Sequence, residues 1–318
     1  MDVIERLGKE GLVPVVVIEN ANDAANTAKA LLDGGLAVME ITMRTPAGLD
    51  AIRNVKKTYP DMLVGAGTVL TLEKARQSVD AGAEFIVTPG FNDEIVTWCL
   101  NNNIAITPGC VTPTEIDHAL SFGLHVLKFF PASIYGGLEG MQALKGPFGS
   151  VSFIPTGGVT ETNLGDYADK QFIHAIGGGF LAKTADINNG KFEAIANTAA
   201  ASIRTLLGFE LAHVGVNCDS ATESEQLGKT LCKAFGFEFK PGNSSNFAGK
   251  GIEITKEPGL GAMGHIAIRT NNIGRAIYHL QKRGFETDPD TAKEKNGKMT
   301  AIYLKGLFGG FAIHLLQK

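Results

Sequence analysis

The chain has 318 residues, 44% of them hydrophobic and 19% charged, with a formal charge of −4. That length and balance fit about two globular domains, and they exclude disorder over most of the chain and the basic footprint of a nucleic-acid binder. Apolar runs stop far short of the ~18 residues of a membrane span, so neither nucleic acid nor membrane is an expected partner.

In chain order, Met1-Asp2-Val3-Ile4-Glu5-Arg6 lacks the basic start and apolar stretch of a secretory signal, which points to the cytoplasm. Cys99, Cys110, Cys218 and Cys232 form no CxxC pair and read as free thiols. Charge divides the chain near Gly208. Residues 1–208 carry 15 Lys/Arg against 22 Asp/Glu, and residues 209–318 carry 14 against 11. Four of the seven histidines, His213, His265, His279 and His314, fall in the second part.

The first part alternates strands and helices. Apolar runs of strand length occur at 13–18, 38–43, 63–68, 85–89, 105–108, 126–131, 152–156 and 174–177, with helical spacing between them, as at 24–32 and 48–57. Near-continuous apolar strands alternating with helices predict a parallel sheet covered by helices, and eight units predict a TIM (β/α)8 barrel; an open doubly wound sheet is the alternative. In a barrel, chemistry belongs at the carboxyl ends of the strands.

Period-two alternation puts Val38, Glu40, Thr42 and Arg44 on one strand face and Met39, Ile41 and Met43 on the other. The apolar face suits helix packing, so Glu40 and Arg44 are expected to point inward, as a structural ion pair or as functional groups. Lys128 interrupts the sixth run in the same way, snorkelling at a strand end or held in the interior. A free lysine titrates near ~10.4; an apolar interior with a second cation such as Arg44 nearby favours the neutral amine that attacks carbonyls. A Schiff-base lysine with a carboxylate as proton carrier is the chemistry these strands indicate. Pro155-Thr156-Gly157-Gly158 and Ile176-Gly177-Gly178-Gly179 close the last two strands, where backbone N–H groups can approach a phosphate or carboxylate.

Four segments, Glu40-Ile41-Thr42-Met43-Arg44-Thr45-Pro46, Gly65-Ala66-Gly67-Thr68-Val69, Lys128-Phe129-Phe130-Pro131-Ala132 and Pro155-Thr156-Gly157-Gly158, resemble in order and spacing the family of 2-keto-3-deoxy-6-phosphogluconate and 4-hydroxy-2-oxoglutarate aldolases, over residues 1–207. The resemblance implies a class I aldolase that cleaves a 2-keto-4-hydroxy acid to pyruvate and an aldehyde, usually as a homotrimer, with no cofactor for the cleavage. It implies that Lys128 forms the imine and that Glu40, through a water, moves protons at the C4 hydroxyl and C3. Arg44 and Thr68 would hold the pyruvyl carboxylate, while Pro89, Phe130 and Thr156 would line the pocket. Members acting on the phosphorylated acid commonly show Gly-Gly-Ser at the eighth strand. Here Gly177, Gly178 and Gly179 offer no hydroxyl, which leaves the choice between phosphogluconate, hydroxyoxoglutarate and the galactonate epimer open.

From Leu211 the pattern becomes short period-two strands with two helical stretches, 223–235 and 273–283. Ala212-His213-Val214-Gly215-Val216 is echoed by Gly264-His265-Ile266-Ala267-Ile268, a self-similarity at about 52 residues that predicts a duplicated β-α-β module in an α+β domain over 211–318. Val214/Val216, Ile252/Ile254, Ile266/Ile268 and Ile313/Leu315 give each strand an apolar face, with His213, Glu253, His265 and His314 opposite. Three imidazoles and a carboxylate suit a divalent metal such as Zn, Ni, Fe, Mn or Co; singly, each histidine is an ordinary polar strand residue. This part resembles the glyoxalase/bleomycin-resistance (vicinal oxygen chelate) superfamily of paired β-α-β-β-β modules. His213, Glu253 and His265 match its ligand positions, and His314 stands where glyoxalases carry a glutamate that is also the base. A metal-free binding module is an equal alternative here. For the whole chain, a phosphosugar epimerase or isomerase on the same barrel and a non-catalytic metabolite-binding protein compete with the aldolase.

Overall fold

In the computed structural model, which describes all of Met1–Lys318, the chain divides into two compact units, Met1–Leu206 and Leu207–Lys318. No helix is long and apolar enough to cross a membrane. All four cysteines are free. Burial pushes the Cys99 thiol up to about 12, and burial with the nearby Glu115 carboxylate does the same to Cys110.

In the first unit the eight apolar runs are strands: β1 Leu12–Val16, β2 Val38–Thr42, β3 Leu63–Gly67, β4 Phe85–Val87, β5 Ala105–Thr107, β6 Val126–Phe129, β7 Ser152–Pro155 and β8 Ile176–Gly178. Six form a parallel sheet in the order β5-β4-β3-β2-β1-β8, and β6 and β7 form a parallel pair. Single bridges join the two sets, Gly109 to Lys128 on one side and Phe153 to Ile173 and Thr156 to Gly177 on the other. Every residue of β2 and β3 is buried, which accounts for their mostly apolar sequences and makes Glu40 the exception.

Three of the connecting helices start where short polar side chains cap their free N–H groups. Thr112 forms a full capping box with Glu115, with Pro113 at the first helical position, and Thr71 and Asn92 cap the helices that follow them. The first helix, Val3–Glu10, packs Leu7 against Val13, Val38, Leu63, Phe85 and Ile154. Truncating such a leucine costs about 2–5 kcal/mol. The inward residues of the strands stand on that apolar floor.

In the second unit the strands are β9 Glu210–Val216, β10 Phe239–Pro241, β11 Ser245–Ala248, β12 Ile252–Thr255, β13 His265–Thr270, β14 Thr287–Lys295, β15 Lys298–Leu304 and β16 Ala312–Gln317, with helices Ala221–Phe235 and Ile273–Lys282. They form one sheet in the order β10-β11-β12-β9-β13-β16-β15-β14. Strand, helix and three strands occur twice, each copy placing its fourth strand parallel to its first, and the copies meet at the antiparallel pair β9–β13. Gly215 faces His265 across that pair, and a Cβ there would collide with the imidazole. The glycine makes room for the ring. Behind the sheet, Cys218, Ala248 and Ile254 are buried with Leu227 and Leu231 of the first helix.

Candidate functional site

A buried carboxylate and a buried amine face each other inside the first unit. Glu40 on β2 and Lys128 on β6 are 3% and 4% exposed, with Lys128 Nζ 3.5 Å from Glu40 Oε1. Oε1 is buried without a hydrogen-bond partner, so the two form a close ion pair but not a directed hydrogen bond. Breaking a buried pair costs about 3–5 kcal/mol because one charge is left uncompensated. The sequence therefore carries matching accommodations. Gly67 on β3 leaves the space that the Glu40 carboxylate fills, and a Cβ there would collide with Oε1. Lys128 Nζ also lies 5.1 Å from the centre of the Phe130 ring, a cation–π distance.

Of the other expected site residues, Phe130 lies beside the amine and Thr156 lines the same cavity as the pair. Phe130 packs against Gly157, whose φ of +86° few side chains could adopt. The Thr156 hydroxyl occupies the space that a Cβ at Gly177 would take, and Thr156 bridges Gly177 in parallel, which sets the two glycine runs on neighbouring strands. Gly158 is exposed and packs against Ser133; Gly178 is buried against Phe180, and Gly179 is exposed. The Pro89 carbonyl approaches Gly109, the residue that bridges Lys128.

Arg44 is the correction. Alternation carried it into the interior, but β2 ends at Thr42 and Arg44 lies exposed in the following turn. There its Nε donates to the Thr68 hydroxyl at 3.2 Å. Thr68 sits at φ +55°, a left-handed conformation that is unfavourable for a β-branched residue. Such strain is held where the surroundings fix it and collects at functional sites.

Sequence reasoning passed over Thr107. It is buried at the end of β5 and lines an enclosed cavity with Glu40, Lys128, Thr156 and apolar residues of the floor. A signal was present: threonine stands at or just after the carboxyl end of five of the eight strands, as Thr42, Thr68, Thr88, Thr107 and Thr156.

In the second unit the three histidines converge. One ring nitrogen from each of His213, His265 and His314 lies within 4.8 Å of the others, and all three side chains are buried. Glu253 joins two of them, Oε2 lying 2.7 Å from His213 Nε2 and 3.2 Å from His265 Nε2, while Ser245 donates to Oε1 at 2.6 Å. Burial alone would raise the Glu253 carboxyl; hydrogen bonds from His213, His265 and Ser245 outweigh it and hold the group well below the usual range. Burial, then the neighbouring His265 and His213, push His314 down to about 4, so its ring is neutral at pH 7 and carries a free lone pair. Its Nε2 is buried with no hydrogen-bond partner, and its ring stacks on Tyr303 at 4.7 Å. Three converging imidazoles, one with a buried nitrogen that nothing satisfies, beside an ionised carboxylate fit a divalent cation. The cluster opens into a cleft of about 960 Å³ that also includes Arg269, Lys293 and Tyr303.

Residues 3–198 match the family described as KDPG and KHG aldolase. A 2-dehydro-3-deoxy-phosphogluconate aldolase of Treponema pallidum is 42% identical over 193 residues, 61% of this chain and 92% of that protein. The KHG/KDPG aldolase of Escherichia coli K12 is 36% identical over 192 residues, 60% and 90% of the two chains. Among solved structures, the KDPG aldolase of Legionella pneumophila with pyruvate captured as a covalent carbinolamine is 33% identical, covers 63% of this chain and 97% of its own, and superposes with a TM-score of 0.61. With that match running through the strands that carry Glu40, Thr68, Lys128 and Thr156, the chain belongs to the KDPG and KHG aldolase family.

Proposed function

We propose that this chain is a class I aldolase that cleaves 2-keto-3-deoxy-6-phosphogluconate, 4-hydroxy-2-oxoglutarate or both to pyruvate and an aldehyde, glyceraldehyde 3-phosphate or glyoxylate. The observation that carries the proposal is the amine of Lys128, enclosed by the strands and 3.5 Å from one carboxylate oxygen. The paired sets of strands with their joining bridges support a closed (β/α)8 barrel as its scaffold. Assembly as a homotrimer belongs to the same reading.

The amine attacks the C2 carbonyl and loses water to give an imine, with Glu40 taking the proton the amine must shed. The protonated imine draws the electrons of the C3–C4 bond as the C4 hydroxyl gives up its proton, and the aldehyde departs. Protonation at C3 and hydrolysis release pyruvate and restore the lysine. The imine is the electron sink. Arg44 and Thr68, joined by their hydrogen bond, hold the substrate carboxylate, and Pro89, Phe130 and Thr156 shape the pocket. Gly157, Gly158, Gly177, Gly178 and Gly179 receive the distal anion through backbone N–H groups.

In the second unit, the paired modules and the cluster of His213, Glu253, His265 and His314 support a vicinal-oxygen-chelate-like domain that binds a divalent metal. A metal held there by those four side chains would supply a Lewis acid. With histidine at position 314, the site lacks the carboxylate base of a glyoxalase.

Borohydride reduction in the presence of pyruvate tests the aldolase. Mass spectrometry is expected to find the reduced pyruvyl adduct on Lys128, and release of pyruvate from the two substrates ranks them. An unmodified lysine with turnover of a phosphosugar would establish an epimerase or isomerase instead; no adduct and no turnover would leave a binding protein.

A further inference from the structure

The cavity that Lys128 and Glu40 help to line has a chemistry of its own. Its lining is Leu7, Val13, Phe85, Val87 and Ile154 on the apolar side and Glu40, Lys128, Thr107 and Thr156 on the polar side. The space it leaves for the centre of a water is about 10 Å³, room for a single molecule. A buried water needs two to four polar partners, and four polar side chains border this one. Glu40 Oε1 is buried with no hydrogen-bond partner, an acceptor that the protein leaves unsatisfied.

Thr107 is the member of this set that no other role claims. It pairs with Val87 in the β4–β5 ladder, and both line the cavity. Ala105, two residues earlier on the same strand face, packs on the apolar floor. Thr107 therefore stands one step above the floor, lining the same cavity as the carboxylate and the amine. Thr88 makes the contrast: its hydroxyl donates to the Gly90 carbonyl at 2.7 Å and is spent on its own loop.

Building on the aldolase reading, we infer that Thr107 is a positioning residue that holds, with Glu40 and Lys128, the water through which Glu40 exchanges protons with the substrate. In the cleavage step the C4 hydroxyl proton passes to this water while the water gives a proton to the Glu40 carboxylate. The C3–C4 electron pair becomes the C2–C3 double bond as the iminium nitrogen accepts the displaced pair, and the aldehyde leaves. The reverse relay then returns the proton from Glu40 through the water to C3, giving the pyruvyl imine.

The test uses the full chain as wild type and as two variants of one position: Thr107→Val, which keeps the branched shape, and Thr107→Ser, which keeps the hydroxyl. Exchange of the pyruvate methyl protons with deuterated solvent, followed by NMR, reads the relay directly; kcat and KM for cleavage and borohydride trapping are measured in parallel. Thr107→Val is expected to slow exchange and kcat about tenfold or more, with KM within about twofold and trapping at Lys128 retained, and Thr107→Ser to recover most of the loss. Exchange at the wild-type rate in Thr107→Val overturns the proposal. So does a Thr107→Ser variant as slow as Thr107→Val, which would assign the effect to packing. Wild-type protein that fails to trap pyruvate would overturn the aldolase reading itself, and the relay with it.

Discussion

Both units bury ionisable side chains, and they neutralise them in different ways. In the first, one amine faces one carboxylate, so the charges cancel within the protein and either group can change partner when a substrate arrives. In the second, two of three imidazoles share one carboxylate, and the third, His314, keeps a buried nitrogen that nothing satisfies. A balanced pair suits proton exchange; an unbalanced cluster suits a cation. Burial is similar in both, about 5% exposure for the Lys128 side chain and for that of His265, so it is the donor set that separates the two chemistries proposed.

The sharpest way to break that contrast is to remove one group from each side. Lys128→Ala is expected to reduce cleavage by roughly 10³-fold or more, because the covalent route is lost, and to abolish the borohydride adduct. His213→Ala is expected to leave cleavage within about twofold while lowering the bound divalent metal, measured by elemental analysis after dialysis. Every proposed group of the aldolase precedes Gly208, so a large loss of cleavage in His213→Ala would show that the two sites are not separate.

The next effect is a pH dependence confined to the histidine side. His314 is pushed down to about 4 by burial and its imidazole neighbours, whereas an unfolded histidine titrates near ~6.5. Above pH 6.5 both states are neutral and stability is full. As pH falls toward 4 the unfolded chain takes up a proton that the folded chain refuses, and stability falls by up to about 3 kcal/mol. Metal-stripped protein is therefore expected to lose thermal stability across that window, and His314→Gln to lose less. An equal pH slope in the two would assign the effect to other groups.

How far these features could be read from sequence follows their physical origin. The eight parallel strands were legible because strands covered on both faces must be apolar along their length, and Glu40 and Lys128 were legible as charges breaking those runs. Arg44 was misplaced because alternation holds only inside a strand, and nothing local shows that β2 stops at Thr42. Thr107 was passed over because threonine is an ordinary strand residue; its meaning lies in which side chains meet it across the interior. In the second unit the repeat gave away the two modules, but β14, with the sequence Thr-Asp-Pro-Asp-Thr-Ala-Lys-Glu-Lys, has no apolar alternation. It is an edge strand, where charges and proline guard against further pairing. The stacking of Tyr303 on His314 and the hydrogen bond from Ser245 to Glu253 join residues too distant in sequence for any local pattern.

A smaller effect sharpens the view that the carboxylate is held in place by the space around it. Gly67→Ala would put a Cβ against Glu40 Oε1, so the carboxylate must turn away from Lys128. Cleavage is expected to fall about 10- to 100-fold, within the range of a displaced acid–base group, while the lysine still traps pyruvate. Unchanged cleavage would mean that Glu40 does its work from a different rotamer.

The smallest expected effect separates strain from contact at the carboxyl end of β3. Thr68 holds φ at +55° and accepts a hydrogen bond from Arg44. Asparagine adopts the left-handed conformation more readily than threonine, so Thr68→Asn is expected to raise the unfolding free energy by about 1 kcal/mol or less in urea denaturation. The same change alters the group that meets Arg44, and KM for the keto acid is expected to rise with little change in borohydride trapping. If both stability and KM were unmoved, neither the backbone strain nor the hydroxyl would matter, and the anion contact would rest on Arg44 alone. If stability rose while KM held, threonine would be kept for its effect on loop shape, and the contrast between the units would narrow to Lys128, Glu40 and the histidines.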